Sequence, residues 1–324
     1  MPGRMKRVTL LFGALMLLPL SALAQVASKD RPIVFGAKLP GQKFSQIYRI
    51  NTDGTSRITL TKPTANFTYP RWSPDGKLIV FTEGYDPEKG KRYVVDADGK
   101  NKPRLVTNAT EFDWVHDLDD PPAPGGKYAL GDTSIIDIKT NKRTPLEEVS
   151  LETPVIWLDS KHLVSVKNEE KDKAVLEKTT LRLHGLDGKI ISTIPLTPSE
   201  EDAKRFDDEA DYGNVWTLHR LPVPDKFVLA RLAGGNREGK WPIGLLVDVK
   251  NQKTTWWGEF GYSGMFFSAD GKRFLTALNR KNPKTEKFEN TLYIGATENP
   301  TKLTALVRAA DLVVGDWRGG MASQ

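Results

Sequence analysis

A four-strand unit recurs along most of this chain, and that recurrence constrains the fold more than any other feature. Pro70-Arg71-Trp72-Ser73-Pro74-Asp75-Gly76-Lys77-Leu78-Ile79-Val80-Phe81 reads apolar strand, Ser-x-Asp-Gly-Lys turn, apolar strand, and Met265-Phe266-Phe267-Ser268-Ala269-Asp270-Gly271-Lys272-Arg273-Phe274-Leu275 repeats it. The Asp-Gly pair is expected to supply the positive φ angles of a tight hairpin. A second hairpin unit runs from Gln46 through Asp53-Gly54 to Thr61, and returns at Tyr93–Thr107, Leu181–Thr197 and Leu245–Gly258.

Sorting the strands by position in the unit gives four types. In-strands centre on Trp72, Trp114, Trp157, Trp216, Phe267 and Trp317. Second strands are 33–37, 78–82, 127–131, 162–166, 227–231 and 273–277, and third strands are 47–50, 92–95, 134–138, 180–183, 245–249 and 292–295. An outer strand follows each third strand, faintly so near 144–149. Six four-stranded units predict an all-β fold, a six-bladed β-propeller. The repeat starts with a second strand, Ile33–Ala37, and ends with an in-strand, Leu312–Trp317. Pairing those two would complete the sixth blade from both ends of the chain. The aromatic at each in-strand reads as a wedge packed between blades; a carbohydrate-stacking ring is the other reading.

Trp72-Ser73-Pro74-Asp75-Gly76-Lys77 followed by Ile79-Val80-Phe81, with Ile47-Tyr48 and Asp53-Gly54 upstream, resembles the repeat of the TolB-type propellers. The resemblance spans residues 31–317, is strongest around Trp72 and Phe267, and lacks the α/β domain that precedes the propeller in TolB. The middle units, such as Trp157-Leu158-Asp159-Ser160-Lys161, do without Ser-Pro-Asp-Gly. The resemblance implies a propeller and the bacterial cell envelope, and a fold by itself does not fix an activity.

The first residues fit that compartment. Arg4, Lys6 and Arg7 precede an apolar run from Val8 to Leu20, and Ser21-Ala22-Leu23-Ala24-Gln25 offers a cut after Ala24. This is the pattern of a secretory signal peptide over residues 1–24, leaving 25–324 as one propeller domain in the periplasm or secreted. The apolar run is too short for a spanning helix. The full chain carries +6, and removing three bases and no acids leaves +3, no footprint for nucleic acid. With no Cys there is no disulfide framework and no thiolate metal site or nucleophile.

Strand order sorts the connections into two faces. Short turns such as 73–76, 96–99 and 269–271 lie on one. The long connections 38–45, 83–91, 167–178, 198–213, 233–243 and 279–290 lie on the other, where binding usually sits; solvated insertions without a ligand are the other reading. Lys167–Lys178 reads as an exposed loop or short helix. Ser199 with Asp202 reads as a helix N-cap with an acidic third position, opening a short acidic helix. Gly261-Tyr262-Ser263-Gly264-Met265 lacks the last Gly of a nucleophile elbow, and no His follows His219, so the hydrolase order Ser, acid, His is impossible. His116 and His219 lie just after in-strand Trp residues, so with Arg71 they are the candidate ligand-binding residues of the central channel. No spaced metal motif occurs, and no metal, cofactor or catalytic residue is assigned. These features predict a monomeric, non-catalytic module binding an envelope protein or glycan, without nucleic acid or a membrane span. The alternative is a lyase or hydrolase on sugars using channel His and carboxylates. Some oligogalacturonate lyases with TolB-like propellers work that way.

Overall fold

A computed structural model describes residues 32–73, 75–86, 89–107, 123, 126–168, 176, 179–208, 215–232, 242–261, 265–268, 270–282, 286 and 288–317. The strands run in chain order. The first sheet holds β1 (Ile33–Lys38), β2 (Gln46–Ile50) and β3 (Ile58–Thr59), and the second holds β4 (Phe67–Trp72), β5 (Leu78–Glu83), β6 (Arg92–Asp96) and β7 (Arg104–Leu105). The third holds β8 (Tyr128–Gly131), β9 (Ser134–Asp137) and β10 (Arg143–Pro145), and the fourth β11 (Val155–Trp157), β12 (Leu163–Asn168), β13 (Thr179–His184) and β14 (Ile190–Ile194). Helix α1 (Glu200–Asp208) precedes the fifth sheet, β15 (Val215–Arg220), β16 (Lys226–Leu232), β17 (Ile243–Asp248) and β18 (Lys253–Glu259). The sixth is β19 (Phe266–Phe267), β20 (Arg273–Lys281), β21 (Phe288–Ala296) and β22 (Asn299–Ala309), and β23 (Asp311–Asp316) follows. The fold is therefore nearly all-β, six antiparallel sheets in the arrangement of a six-bladed propeller. The predicted in-strand at Trp114 lies outside the described residues, and the third sheet has three strands among those described.

β23 starts no sheet of its own. It pairs antiparallel with β1, Ala37 opposite Leu312 and Phe35 opposite Val314, so the first sheet is ordered β23-β1-β2-β3. Strands β1 and β2 are buried on both faces, as a sheet sandwiched between two others must be.

The core lies between sheets. Val34, Ile47 and Leu60 of the first meet Phe67, Trp72, Ile79 and Phe81 of the second. Ile135 and Leu146 of the third meet Trp157 and Leu163 of the fourth. Val164, Val166 and Leu181 meet Trp216, Phe227 and Leu245 across the next junction, and Val228, Trp257 and Phe260 meet Met265 and Phe274 across the one after. Leu275, Leu292 and Val307 of the sixth sheet pack with Ile33, Phe35 and Trp317 of the first. The in-strand aromatics at 72, 157, 216, 267 and 317 all belong to these junctions, and the four Trp are each at most 5% exposed. They are wedges, which removes their ring faces from any ligand.

The Asp-Gly turns work differently from the sequence expectation. Gly54, Gly76, Gly99, Gly188 and Gly271 take positive φ, but the Asp before each does not. Each Asp instead folds its Oδ1 onto the backbone N–H two residues on: Thr55 at 2.9 Å, Lys77, Lys100 and Lys272 at 3.0 Å, and Lys189 at 3.2 Å. Ser73 and Ser268 complete the motif. Their hydroxyls donate to Asp75 (2.6 Å) and Asp270 (2.7 Å) and accept from Leu78 N (2.9 Å) and Arg273 N (3.0 Å).

Two connections also depart from expectation. The predicted loop at 279–290 is largely ladder, since β20 and β21 stay paired to Lys281 opposite Phe288. Of the predicted exposed loop 167–178, Leu176 is buried in the core between the fourth and fifth sheets. The helix at 199 is present. Ser199 Oγ accepts from Asp202 N at 3.0 Å, and Glu200, Glu201 and Asp202 fill the first turn, where the helix dipole favours acids. Phe206, fully buried, stacks on Trp216 at 5.6 Å. One side of the acidic helix is thus a lid over a blade junction.

Candidate functional site

The three sequence candidates fall in different surroundings. Arg71 is half-buried on β4, and its Nη1 donates to Pro70 O at 3.3 Å. His116, with the neighbouring Asp113 and Asp117, lies outside the described residues. His219, near the end of β15, sits with its ring against Phe260, centroids 5.3 Å apart and nearly perpendicular, and its Nε2 is 3.2 Å from Thr217 Oγ1. Phe260 belongs to the core between the fifth and sixth sheets. Burial there pushes the imidazole down to about 4, so it is neutral at physiological pH.

The other two described histidines stand apart from it. His184 is fully buried, its Nε2 2.7 Å from Ser165 Oγ, and burial together with the Arg182 charge lowers its pKa, against the opposing pull of the Gly188 backbone and Glu147. His162 Nδ1 meets Asp159 Oδ2 at 2.8 Å in the β11–β12 turn. Burial would raise the Asp159 carboxyl, but hydrogen bonds from His162 and from the Lys161 and His162 amides hold it below its usual value. Arg220, at the end of β15, faces that carboxylate; burial draws the guanidinium down and the Asp159 charge draws it back. Each histidine thus has a separate partner. Among the described residues no three His, Asp or Glu side chains gather as a metal ligand set.

The densest unusual chemistry is at the opposite end of the sheets, where the first and second meet. Tyr69, in the middle of β4, takes φ 51°, a left-handed conformation that a bulky residue adopts only at a cost of roughly 1–3 kcal/mol. It also precedes Pro70, a position ordinarily held at negative φ. The strain coincides with a bulge, because the β4–β5 register jumps between Thr68 and Arg71. Bulges re-aim side chains, and this one places Tyr69 Oη 3.1 Å from Tyr85 O.

Tyr85 follows β5 in the connection to β6 and is 51% exposed. Its phenol donates to Asp311 Oδ2 at 3.0 Å and lies 3.3 Å from Ser45 Oγ. Ser45 lowers the Tyr85 pKa, while burial and the Asp311 carboxylate raise it, and the net direction is upward, so the phenol keeps its proton and donates. Ser45 is held by Asn66, whose Oδ1 accepts from Ser45 N at 2.9 Å, and Asn66 O accepts from Gly84 N at 2.8 Å. Thr68 Oγ1 bonds to Gly84 O from beneath. Residues from β4, the β1–β2 and β5–β6 connections and the start of β23 thus converge on one exposed tyrosine. Nothing in a local sequence motif marks Tyr85 or Asp311, which are 226 positions apart. Only Tyr69-Pro70 carried a signal, as a bulky pre-proline residue inside a strand.

No family model matches the chain, and no curated protein matches it. Solved structures similar in strand arrangement include TolB from Acinetobacter baumannii, at 14% identity and a TM-score of 0.47 over 89% of this chain and 65% of that one. The dihydro-heme d1 dehydrogenase NirN in complex with DHE aligns at 13% identity and 0.43, over 91% of this chain and 76% of that one. The tricorn protease aligns at 12% and 0.36, over 88% of this chain and 30% of that one. This chain therefore spans less than two thirds of the TolB chain and less than a third of the tricorn protease. The propeller reading rests on the six sheets themselves.

Proposed function

We propose that this chain is a non-catalytic binding module of the cell envelope. It is a closed six-bladed ring whose long-connection end receives a protein or glycan. The observation that carries the reading is the convergence on Tyr85: strain, a bulge and a four-element hydrogen-bond network are concentrated at one exposed aromatic. The opposite end is built from repeated Asp-Gly turns whose polar groups are consumed by the turns. The pairing of β1 with β23, and the packing of Trp317 between the sixth and first sheets, support closure of the ring by the two ends of the chain. Residues 1–24, which lie outside the described residues, support export with cleavage after Ala24, and the TolB-type repeat supports the periplasm. Among the described residues no helix is long and apolar enough to cross a membrane.

Arg71 lies on the same strand as Tyr69, with its Nη1 on Pro70 O, and it stays a candidate for the central channel rather than for this site. The sugar-lyase or hydrolase alternative rests on His116 with His219; His219 packs against Phe260, and His116 lies outside the described residues. Photo-crosslinking in intact cells tests the module. A benzoylphenylalanine at the exposed Lys43, on the long-connection end, is expected to yield discrete adducts; one at Lys77 or Lys272, on the turn end, is not. Equal adducts from both ends, or none from the first, would defeat the proposal.

A further inference from the structure

We infer that Tyr85 is the stacking platform of a saccharide subsite for a neutral, hydroxyl-rich pyranose. This deepens the binding-module reading and rests on it. A pyranose presents a face of C–H groups between rims of hydroxyls. It is held by a rigid aromatic face with acceptors at its edge. Tyr85 supplies such a face. The residue is half exposed while its hydroxyl is tied to Asp311 and Ser45, so orientation is fixed before a ligand arrives and little side-chain freedom is lost on binding.

The rim sets the class. An ionised carboxylate has only acceptor sites, several of them, and the Tyr85 phenol uses one at Asp311. The remaining sites call for hydroxyl donors rather than for the acceptor oxygens of a uronate or phosphate. Ser45 Oγ can donate or accept beside it. Tyr69 buttresses the platform from behind through the Tyr85 carbonyl, which gives the strained conformation a role: it sets the height of the ring above the strand.

The surroundings favour a sugar over a protein surface. A protein partner is usually anchored by several large side chains clustered near the centre of its contact. The other exposed large apolar side chains among the described residues are Leu105, Ile138, Leu151, Ile191 and Phe288. They lie on β7, β14, β21 and the connections after β9 and β10, none of them in the four elements that meet at Tyr85. One aromatic ring edged by a carboxylate and a hydroxyl is the footprint of a monosaccharide unit.

The test uses the full mature chain with cellotetraose, maltotetraose and chitotetraose as neutral probes and trigalacturonate as the acidic one, read by saturation-transfer NMR and titration. At least one neutral tetrasaccharide is expected to bind with Kd of about 0.1–5 mM, and trigalacturonate not to. Tyr85→Ala should weaken that binding by about tenfold or more, whereas Tyr85→Phe, which keeps the ring, should weaken it less than about fivefold. Near-ultraviolet circular dichroism matched to wild type shows that each variant is folded. The inference is overturned if no neutral probe binds, if trigalacturonate binds as tightly, or if Tyr85→Ala binds like wild type. Should crosslinks form from the long-connection end while no saccharide binds, the module stands and this inference alone falls. Absence of both removes both.

Discussion

His219 is a proton acceptor built into a blade junction, and replacing it should change how the protein responds to acid. Its folded pKa is near 4 against 6.5 for a free imidazole, with burial as the cause. A depressed histidine stabilises the fold fully above the unfolded pKa. That stability is lost as pH falls from 6.5 through 4, because the unfolded chain takes the proton first. A shift of this size corresponds to about 3 kcal/mol once both states are protonated. The side chain is only half-buried by surface area, so solvent screens part of it and about 2 kcal/mol is the loss to expect at pH 4.5. Carboxylates such as Asp159, Asp248 and Asp270, all lowered in the folded state, destabilise in the same direction, so the wild-type profile alone proves nothing. The difference between wild type and His219→Gln isolates the imidazole. In urea denaturation the variant should lose about 2 kcal/mol less than wild type between pH 7 and 4.5. The wild-type His219 ring should show no NMR titration above pH 5.5. Parallel stability profiles, or a ring that titrates near 6.5, would refute the buried placement against Phe260.

Three further substitutions, one of them a control, test the packing. Phe206→Ala removes a fully buried ring from between α1 and Trp216, and should cost about 3–5 kcal/mol in urea denaturation with loss of near-ultraviolet dichroism from the Trp216 stack; a cost under about 1 kcal/mol would mean that α1 is not docked. Gly271→Ala places a Cβ 2.4 Å from Val223 Cγ2 at φ 65°, whereas Gly41→Ala at φ 82° meets nothing within 4 Å. Each should cost about 1–2 kcal/mol for the backbone, and the first roughly another 1–3 kcal/mol for the clash, so equal melting temperatures would contradict the contact between the two neighbouring turns.

The sheets were legible in the sequence because their determinants are local. A period-two apolar strand, then Asp-Gly, then another such strand, is set by pleat and turn chemistry within about a dozen residues. That is why the strands around Trp72 and Phe267 are found where expected, whereas those around Trp157 and Trp216 lack the Asp-Gly turn and were placed by their apolar strands and in-strand Trp alone. The turn mechanism was half legible. Gly was assigned its positive φ correctly, but Asp75 and Asp270 act by capping a backbone N–H, which composition does not distinguish from tolerating a left-handed angle. The surroundings of His219 were not legible. Alternation along β15 puts Thr217 and His219 on one face, but only the position of Phe260, forty-one residues later, makes that face a packed one. The exposed tyrosine was least legible of all, since its partners come from residues 45, 69 and 311.

That contrast has a physical origin, and it bears on where function can reside in such an array of sheets. At the turn end, one rule is applied repeatedly: the Asp carboxylate and the Gly angle satisfy the chain's own amides within four or five residues. The polar groups there are used up by the backbone, and a substitution that freed one for a ligand would destabilise the turn. At the long-connection end no such local rule closes the chain. The connections are held by contacts between distant segments, as Ser45 is by Asn66 and Tyr85 by Asp311. Side chains there can change without breaking a hairpin, provided the sheets beneath stay packed. Strain is tolerated there for the same reason. The unfavourable angle at Tyr69 is offset by the buried strand on either side of it, where Thr68 and Trp72 are at most 5% exposed. On the proposed function, a binding surface belongs where the fold is over-determined from below and under-determined above.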